Sequence, residues 1–380
     1  MKILYFLSFD IQKFHGVFLK VVNQITIWKS QGYEVELLLY WSGKVGKELR
    51  EILYENEISY KCFIDHTEKA WLIRRGRWLL RSVNRTENDI IDYIREYGPT
   101  IIYARLELIN SPLLLRLIKN HKVVLEVNTF LKKEFKLNSK SSFLMKLYYW
   151  ISLIHGYRYV SKAKGVVAVT YELCDYIKNE NINSNVFVLP NSIKLEEVRR
   201  ITKNIRRKEP VLIFMASRGL LWHGIEELLL FSKQVIGKLN IWIIGYSENE
   251  FNDVSSNVTF WGILNEEKYK KVLEEADVGM GTIALYKKNM QEACPLKVRA
   301  YLSNGLPVIL PYVDTAFVGQ NYPDFVLQIP NKPNSLLEYK DSIVDFCYKW
   351  KDHKLVNEQV ADYIDGEVLE RRRLKFMFGL

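Results

Sequence analysis

The feature that most constrains this chain is a repeated alternation of short β-rich runs with amphipathic helical stretches. Lys2–Leu7 reads as a buried strand. A helix follows after Gly16 with Phe18, Val21, Val22, Ile25 and Trp28 on one side; Gly32 stops it, and Glu34–Leu39 is the next strand. The rhythm returns at Thr100–Tyr103, Lys122–Glu126, Gly165–Val169 and Val186–Leu189. Strands separated by helices predict a mostly parallel sheet wound on both faces.

At Pro190-Asn191-Ser192 the pattern breaks, and a polar, basic stretch runs to Pro210. It then restarts. Val211–Met215, Asn240–Ile244, Val258–Trp261, Asp277–Gly279 and Pro307–Leu310 read as strands. Gly224–Val235 reads as a helix with Ile225, Leu228 and Leu229 inward. Glu266–Ala276 is another, with Tyr269, Val272, Leu273 and Ala276 at helical spacing. A chain of 380 residues is long enough for two such cores. The expected fold class is therefore α/β, with two doubly wound Rossmann-like domains facing an interdomain cleft. The expected boundaries are 1–193, 194–353 and a C-terminal helical segment 354–380. In open α/β sheets ligands bind beyond the carboxyl ends of the strands, where helix N-termini present free N–H groups.

Composition narrows the setting. At 48% hydrophobic and 26% charged, the chain is neither disordered nor fibrous. Cys62, Cys174, Cys294 and Cys347 are scattered with no C-x-x-C, which points to reduced thiols rather than a disulfide framework or zinc site. Met1–Phe9 has no basic leader or cleavage site, and no apolar run approaches the ~20 residues that span a bilayer, so a cytoplasmic location is expected. The net charge of +10 is one-sided: residues 1–190 hold 28 Lys and Arg against 19 Asp and Glu, the remainder 26 against 25. Such asymmetry implies a large acidic partner. No helix-turn-helix, zinc finger or RNA-binding aromatic signature is present, so nucleic acid is not expected.

The most informative stretch runs from Glu292 to Ile309: an acidic loop, a helix opening near Pro295, Gly305 as its stop, and a buried strand from Pro307. The N–H groups of Leu296 and Lys297 can receive an anion there, with the Lys297 ammonium adding charge.

These residues resemble the family 4 glycosyltransferases, of GT-B fold and mostly retaining. Their motif places a Glu, seven residues and a second Glu before a Tyr-Leu-small-x-Gly-x-Pro-Val-Ile run. Upstream, Val188–Ser192 is similar to the family's interdomain junction and Phe214–Leu228, with Trp222-His223-Gly224, to its donor loop. Ile243-Ile244-Gly245 and Val258–Gly262 match two further strand ends, and His15-Gly16 its first Gly-rich turn. The match covers nearly the whole chain in order, and it implies that the C-terminal helix packs back on the first domain. It implies a hexosyltransferase using a nucleotide sugar, a UDP-sugar in preference to a GDP-sugar, with no cofactor and no metal. It also implies a lipid-linked or polysaccharide acceptor, as in capsule, exopolysaccharide or lipopolysaccharide assembly. By the same resemblance Glu292, Arg218 and Lys297 are the catalytic candidates. Gly16, Arg218, His223, Gly245, Glu292, Cys294, Leu296 and Lys297 are the donor-binding ones. His15, Arg105 and Glu126 belong to the acceptor side. The chemistry suits fixed positive groups on a departing diphosphate while the sugar gains oxocarbenium character. Consistently, no Asp-x-Asp occurs in the chain.

Two positions depart from the pattern: Ala300 stands where the second Glu is expected, and His223 where the donor loop has Lys. They motivate one alternative, a non-catalytic subunit of the same fold scaffolding an assembly complex; a nucleotide-sugar epimerase of related two-domain architecture is a third reading. Bland readings stand beside the functional ones. Glu292 can be a solvated loop acid, His223 a helix-start residue, His15 a turn residue, and Arg105 a surface partner of Glu107 or Glu126. The run Lys69–Arg85 interleaves six basic residues with Trp71, Leu72, Trp78 and Leu79, and Phe130–Lys164 is rich in Lys, Tyr and Trp. Both fit a helix with a core-facing apolar side. They also fit an anionic membrane interface, which is the reading adopted: a peripheral protein on the inner face of the cell membrane.

Overall fold

The run Lys2–Leu7 (β1) is apolar because it has neighbours on every side. It pairs in parallel with Glu34–Trp41 (β2) and with Ile101–Arg105 (β4), Ile3 standing opposite Val35 and Ile101. A strand flanked and covered in this way reads as a continuous hydrophobic run. The computed structural model describes residues 1–8, 15–41, 43–64, 85–107, 112–130, 133, 150, 154, 156–195, 207–319 and 321–380. Contacts divide them into two units, 1–189 with 366–380, and 190–365.

The first unit holds a seven-stranded parallel sheet in the order β3-β2-β1-β4-β5-β6-β7. The remaining strands are Tyr60–Ile64 (β3), Val123–Val127 (β5), Gly165–Ala168 (β6) and Val186–Val188 (β7). Its helices among the described residues include His15–Ser30 (α1), Lys47–Glu55 (α2), Arg85–Tyr97 (α3), Pro112–Asn120 (α4), Tyr171–Asn179 (α5) and the C-terminal helix Gly366–Gly379. That last helix lies against α1. Leu369, Leu374 and Met377 join Phe18, Val22, Ile25 and Trp28 in one core.

The second unit repeats the plan in six strands, ordered β10-β9-β8-β11-β13-β15. They are Val211–Met215 (β8), Asn240–Ile244 (β9), Val258–Gly262 (β10), Val278–Met280 (β11), Val308–Leu310 (β13) and Val326–Gln328 (β15). Glu292–Ala293 (β12) and Val313–Asp314 (β14) form a separate two-stranded parallel ladder. The α-helices among its described residues are Ile225–Gln234 (α6), Glu266–Glu275 (α7), Leu296–Ser303 (α8), Ser335–Glu338 (α9), Lys340–Lys349 (α10) and Asn357–Ile364 (α11). Where residues 193 and 365 meet, Ile193 bridges Asp365 in parallel, its N–H bonding Ile364 O at 2.9 Å.

Strand order reverses between β1 and β4 in one sheet and between β8 and β11 in the other, the switch points at which open α/β sheets hold ligands. Two sequence expectations change. The acidic loop before Pro295 is in fact strand β12. The C-terminal helical stretch is two helices broken at Asp365, which has extended backbone. Among the described residues no helix is long and apolar enough to cross a membrane. Of the basic run Lys69–Arg85, all but Arg85 lies outside the described residues, as does most of Phe130–Lys164.

Candidate functional site

In the second unit, chemistry gathers at the carboxyl end of β8. The strand is buried to Phe214 and ends at Met215, whose two backbone groups are both taken by α8. The Met215 N–H donates to Tyr301 Oη at 2.7 Å, and Lys297 Nζ donates to Met215 O at 3.0 Å. Lys297 and Tyr301 are one helical turn apart, so one face of α8 reaches both. The Lys297 ammonium also sits 4.3 Å from the Phe214 ring centroid. Burial lowers its pKa from the ordinary lysine range to about 7. Helix α8 starts as its sequence dictates, with Pro295 as an extended N-cap, and ends before Gly305 in the left-handed region.

Beyond Met215 the chain turns through Ala216–Gly219 and makes a short 3-10 turn, Leu221–His223. Gly224 then opens α6 at φ +75°. A Cβ on Gly224 would meet Ile283 Cβ at 2.8 Å, so this turn needs glycine for both backbone and space. The Ser217 N–H donates to His223 Nδ1 at 2.9 Å, which requires that nitrogen to be unprotonated and leaves the proton on Nε2. Burial, with Lys297 and Lys288 nearby, lowers the His223 pKa to about 2. The imidazole is therefore neutral at any physiological pH, a donor through Nε2 and not a cation. The charge at this position comes instead from Lys297 and from Lys288, which lies 4.3 Å over the Trp222 ring and which the sequence pattern did not single out. Ile283 and Ala284 N–H groups donate to His223 O and Trp222 O, tying the loop to the segment after β11.

The other candidates fall at stated places. Arg218, half exposed, pairs with Glu250 at 2.7 Å, so its guanidinium is directed to the loop after β9. Gly245 has φ +103°, and a Cβ there would lie 2.0 Å from Ala216 O; the end of β9 packs directly on the β8 loop. Glu292 is buried on β12, opposite Val313, and its charge, after burial and Asp314, helps raise the Tyr322 pKa. Cys294 is held by Asn191: the Asn191 N–H donates to Sγ at 3.0 Å, and the Asn191 amide donates to Cys294 O. Leu296 and Lys297 form the first turn of α8. Thus His223 and Lys297 are brought together, with Glu292, Cys294 and Leu296 on the adjoining segment, while Arg218, next to Ser217 on the β8 loop, pairs with Glu250.

In the first unit Gly16 is exposed in the opening turn of α1; the His15 side chain lies outside the described residues. Arg105 ends β4 and Glu126 is the penultimate residue of β5, but in place of an exposed pair they belong to a buried network. Glu126 is fully buried. It bonds Lys20 at 2.6 Å, accepts from Tyr103 Oη at 2.7 Å and Asn128 at 2.9 Å, and pairs with Arg373 at 3.0 Å. Arg105 bonds Glu107 at 2.6 Å and lies 3.7 Å from Glu126. Burial alone would raise the Glu126 pKa, but Lys20, Arg373 and Arg105 hold it well below the carboxylate range. Arg373 in turn bonds Glu370, which accepts from Trp28 Nε1 at 2.9 Å.

No protein-family model matches the sequence, and no curated protein matches it either. Solved structures do match, over the full length. Anabaena Alr3699/HepE, in complex with UDP and glucose, aligns with 12% identity and TM-score 0.68, covering 100% of both chains. Sucrose-phosphate synthase from Thermosynechococcus elongatus aligns with 12% identity and TM-score 0.66, covering 100% of this chain and 98% of that one. The lipopolysaccharide outer core galactosyltransferase WaaB, in its apo form, aligns with 13% identity and TM-score 0.65, covering 100% and 99%. The fold is that of the GT-B glycosyltransferases: two parallel-sheet Rossmann-like domains.

Proposed function

We propose that this chain transfers a hexose-type sugar from a nucleotide sugar to a lipid-linked or polysaccharide acceptor, without a metal and with retention of configuration. One observation carries the reading: Lys297, in the first turn of α8, stands with His223 at the β8–β11 switch point, in a fold shared over its whole length with a protein solved with UDP and glucose. An ammonium has three N–H donors, and Met215 takes one. The others, the His223 Nε2–H and the N–H groups opening α8 form a cradle for a diphosphate. As the bond from the anomeric carbon to the diphosphate oxygen breaks, negative charge grows on the leaving group, and donors already fixed in place stabilise it. Glu292, buried beside the same helix start, is the group assigned to the donor sugar's hydroxyls. Uridine is the preferred base.

The basic excess in residues 1–190 supports an acidic or membrane-bound acceptor and a peripheral place on the inner face of the cell membrane. Ala300, in place of the second acid, favours the alternative of a non-catalytic subunit. The deciding experiment follows nucleotide release across a panel of nucleotide sugars, with Glu292→Ala as control. Turnover lost in the variant supports the transferase. Absence of both binding and turnover with every donor sinks it, and conversion of free donor without an acceptor points to an epimerase.

A further inference from the structure

Behind Glu292 lies a buried ion pair that the donor reading does not use. Arg299 Nη2 donates to Asp314 Oδ1, and both side chains are wholly buried. Their places in the chain matter more than their contact. Asp314 is on β14, opposite Ala293 of β12; Val313 is opposite Glu292. Arg299 is on α8, two residues beyond Lys297. The segment from Ala293 to Arg299 is therefore closed into a ring, by the β12–β14 ladder at one end and the Arg299–Asp314 contact at the other. Glu292 sits at the start of that ring and Lys297 within it. Asp314 Oδ1 also accepts the Ala316 N–H at 3.1 Å, which anchors β14.

We infer that Arg299 and Asp314 are positioning residues, which fix Glu292 and the first turn of α8 in the geometry that a nucleotide-sugar donor requires. The inference rests on the donor reading above. Two observations and one general consideration favour it over a purely structural role. Arg299 Nε and Nη1 and Asp314 Oδ2 find no hydrogen-bond partner among the described residues, so the pair is poorly satisfied. An ion pair in that condition is weak support for stability, and apolar residues of the same volume commonly replace one without loss. Asp314 and Glu292 both act on the Tyr322 hydroxyl, which burial first and these two carboxylates next push up to about 12. Two acids thus share one neighbourhood, and Arg299 is the cation that offsets one of them. Finally, a site displaced by about 1 Å can lose about a hundredfold in rate, which makes such support a functional requirement.

The test replaces the pair by apolar residues, Arg299→Met with Asp314→Leu, in the full chain. It reads UDP affinity, kcat/KM with UDP-glucose or whichever panel donor turns over, and hydrogen exchange along residues 292–298. The expected result is a folded protein with faster exchange in that segment, unchanged exchange in α10, and kcat/KM lower by about a hundredfold. On a Glu292→Gln background the same pair should add less than about threefold, since both act through one geometry. A folded double variant with wild-type exchange at 292–298, or with full kcat/KM in a protein that turns over, overturns the inference. Should the apolar pair not fold, Arg299→Lys, which keeps the charge but not the planar fork, reads the same quantities. A wild-type protein that neither binds nor turns over any donor defeats the transferase reading and the donor role inferred here with it. The exchange measurement still shows whether the ion pair holds the segment.

Discussion

Lys297 and Met215 are 82 residues apart, yet Nζ of one donates to the carbonyl of the other at 3.0 Å. The helix that begins the candidate anion site is thereby fastened to the end of the strand that forms its floor. Removing the charge with Lys297→Met should weaken UDP binding by about 1.5–3 kcal/mol, the range for a charge-assisted hydrogen bond. That corresponds to a rise in Kd of roughly tenfold to a hundredfold, which isothermal titration calorimetry resolves. An unchanged Kd in a folded variant would remove Lys297 from the site.

The same lysine makes binding pH-dependent. With a pKa of about 7 in the free protein, it is charged below that pH and largely neutral above it. A bound diphosphate favours the charged form, so binding above pH 7 must take up a proton. Affinity should fall as pH rises through 7, by up to about tenfold per unit. Calorimetry at pH 8 in buffers of different ionisation enthalpy should show the uptake, and Lys297→Met should abolish it. For folding the sign is opposite. The unfolded chain keeps this proton to a higher pH than the folded one, so the group's contribution to stability rises with pH from about 7 upward.

Glu292→Gln separates binding from transfer. The substitution keeps the shape and removes the charge, so UDP affinity should stay within about threefold while transfer falls by roughly two to three orders of magnitude. Equal losses of UDP affinity and rate would mean that the residue supports the loop and does not act on the sugar.

Gly245 tolerates no side chain. Its φ of +103° and the 2.0 Å approach to Ala216 O combine backbone strain with a clash against backbone. Gly245→Ala should lower stability by about 3 kcal/mol, visible as a drop in Tm, and weaken UDP binding through the β8 loop. A variant with wild-type Tm would show that the two strand ends are not in contact.

In the first unit, Glu126→Gln leaves Lys20 and Arg373 buried without their shared carboxylate. Breaking such a network from one side destabilises by about 3–5 kcal/mol, which urea unfolding measures. The wild-type pH dependence has a fixed sign: Glu126 is held below its unfolded value, so its contribution is complete above about pH 4.3 and is lost as pH falls further. An acid limb of the unfolding curve that Glu126→Gln leaves unmoved would contradict the assignment.

How much of this was legible in the sequence follows from the range of the interactions involved. The strands around β1 and β8 declare themselves because burial on both faces writes an uninterrupted apolar run, readable within six residues. The start and stop of α8 are equally local, set by Pro295 and Gly305. Glu126 shows the limit. As a polar residue near a strand end it reads as a site group, but its partners Lys20 and Arg373 are 106 and 247 residues away, and nothing local announces them. Asn191 and Cys294, 103 residues apart, are hidden for the same reason. His223 illustrates another limit: its type suggests a titrating group, and it is burial first, then the two nearby lysines and the Ser217 N–H, that fix it as neutral.

The grouping of residues 366–380 with residues 1–189 has a consequence for biogenesis. One unit is an insertion in the other. During synthesis, residues 190–365 have every part of their own core once residue 365 emerges. The seven-stranded unit, begun first, still lacks the helix that covers Trp28 and supplies Arg373 to Glu126. The earlier half of the chain is therefore the later one to finish folding, and a nonsense codon after residue 365 would spare the neighbouring unit while leaving the distant one incomplete.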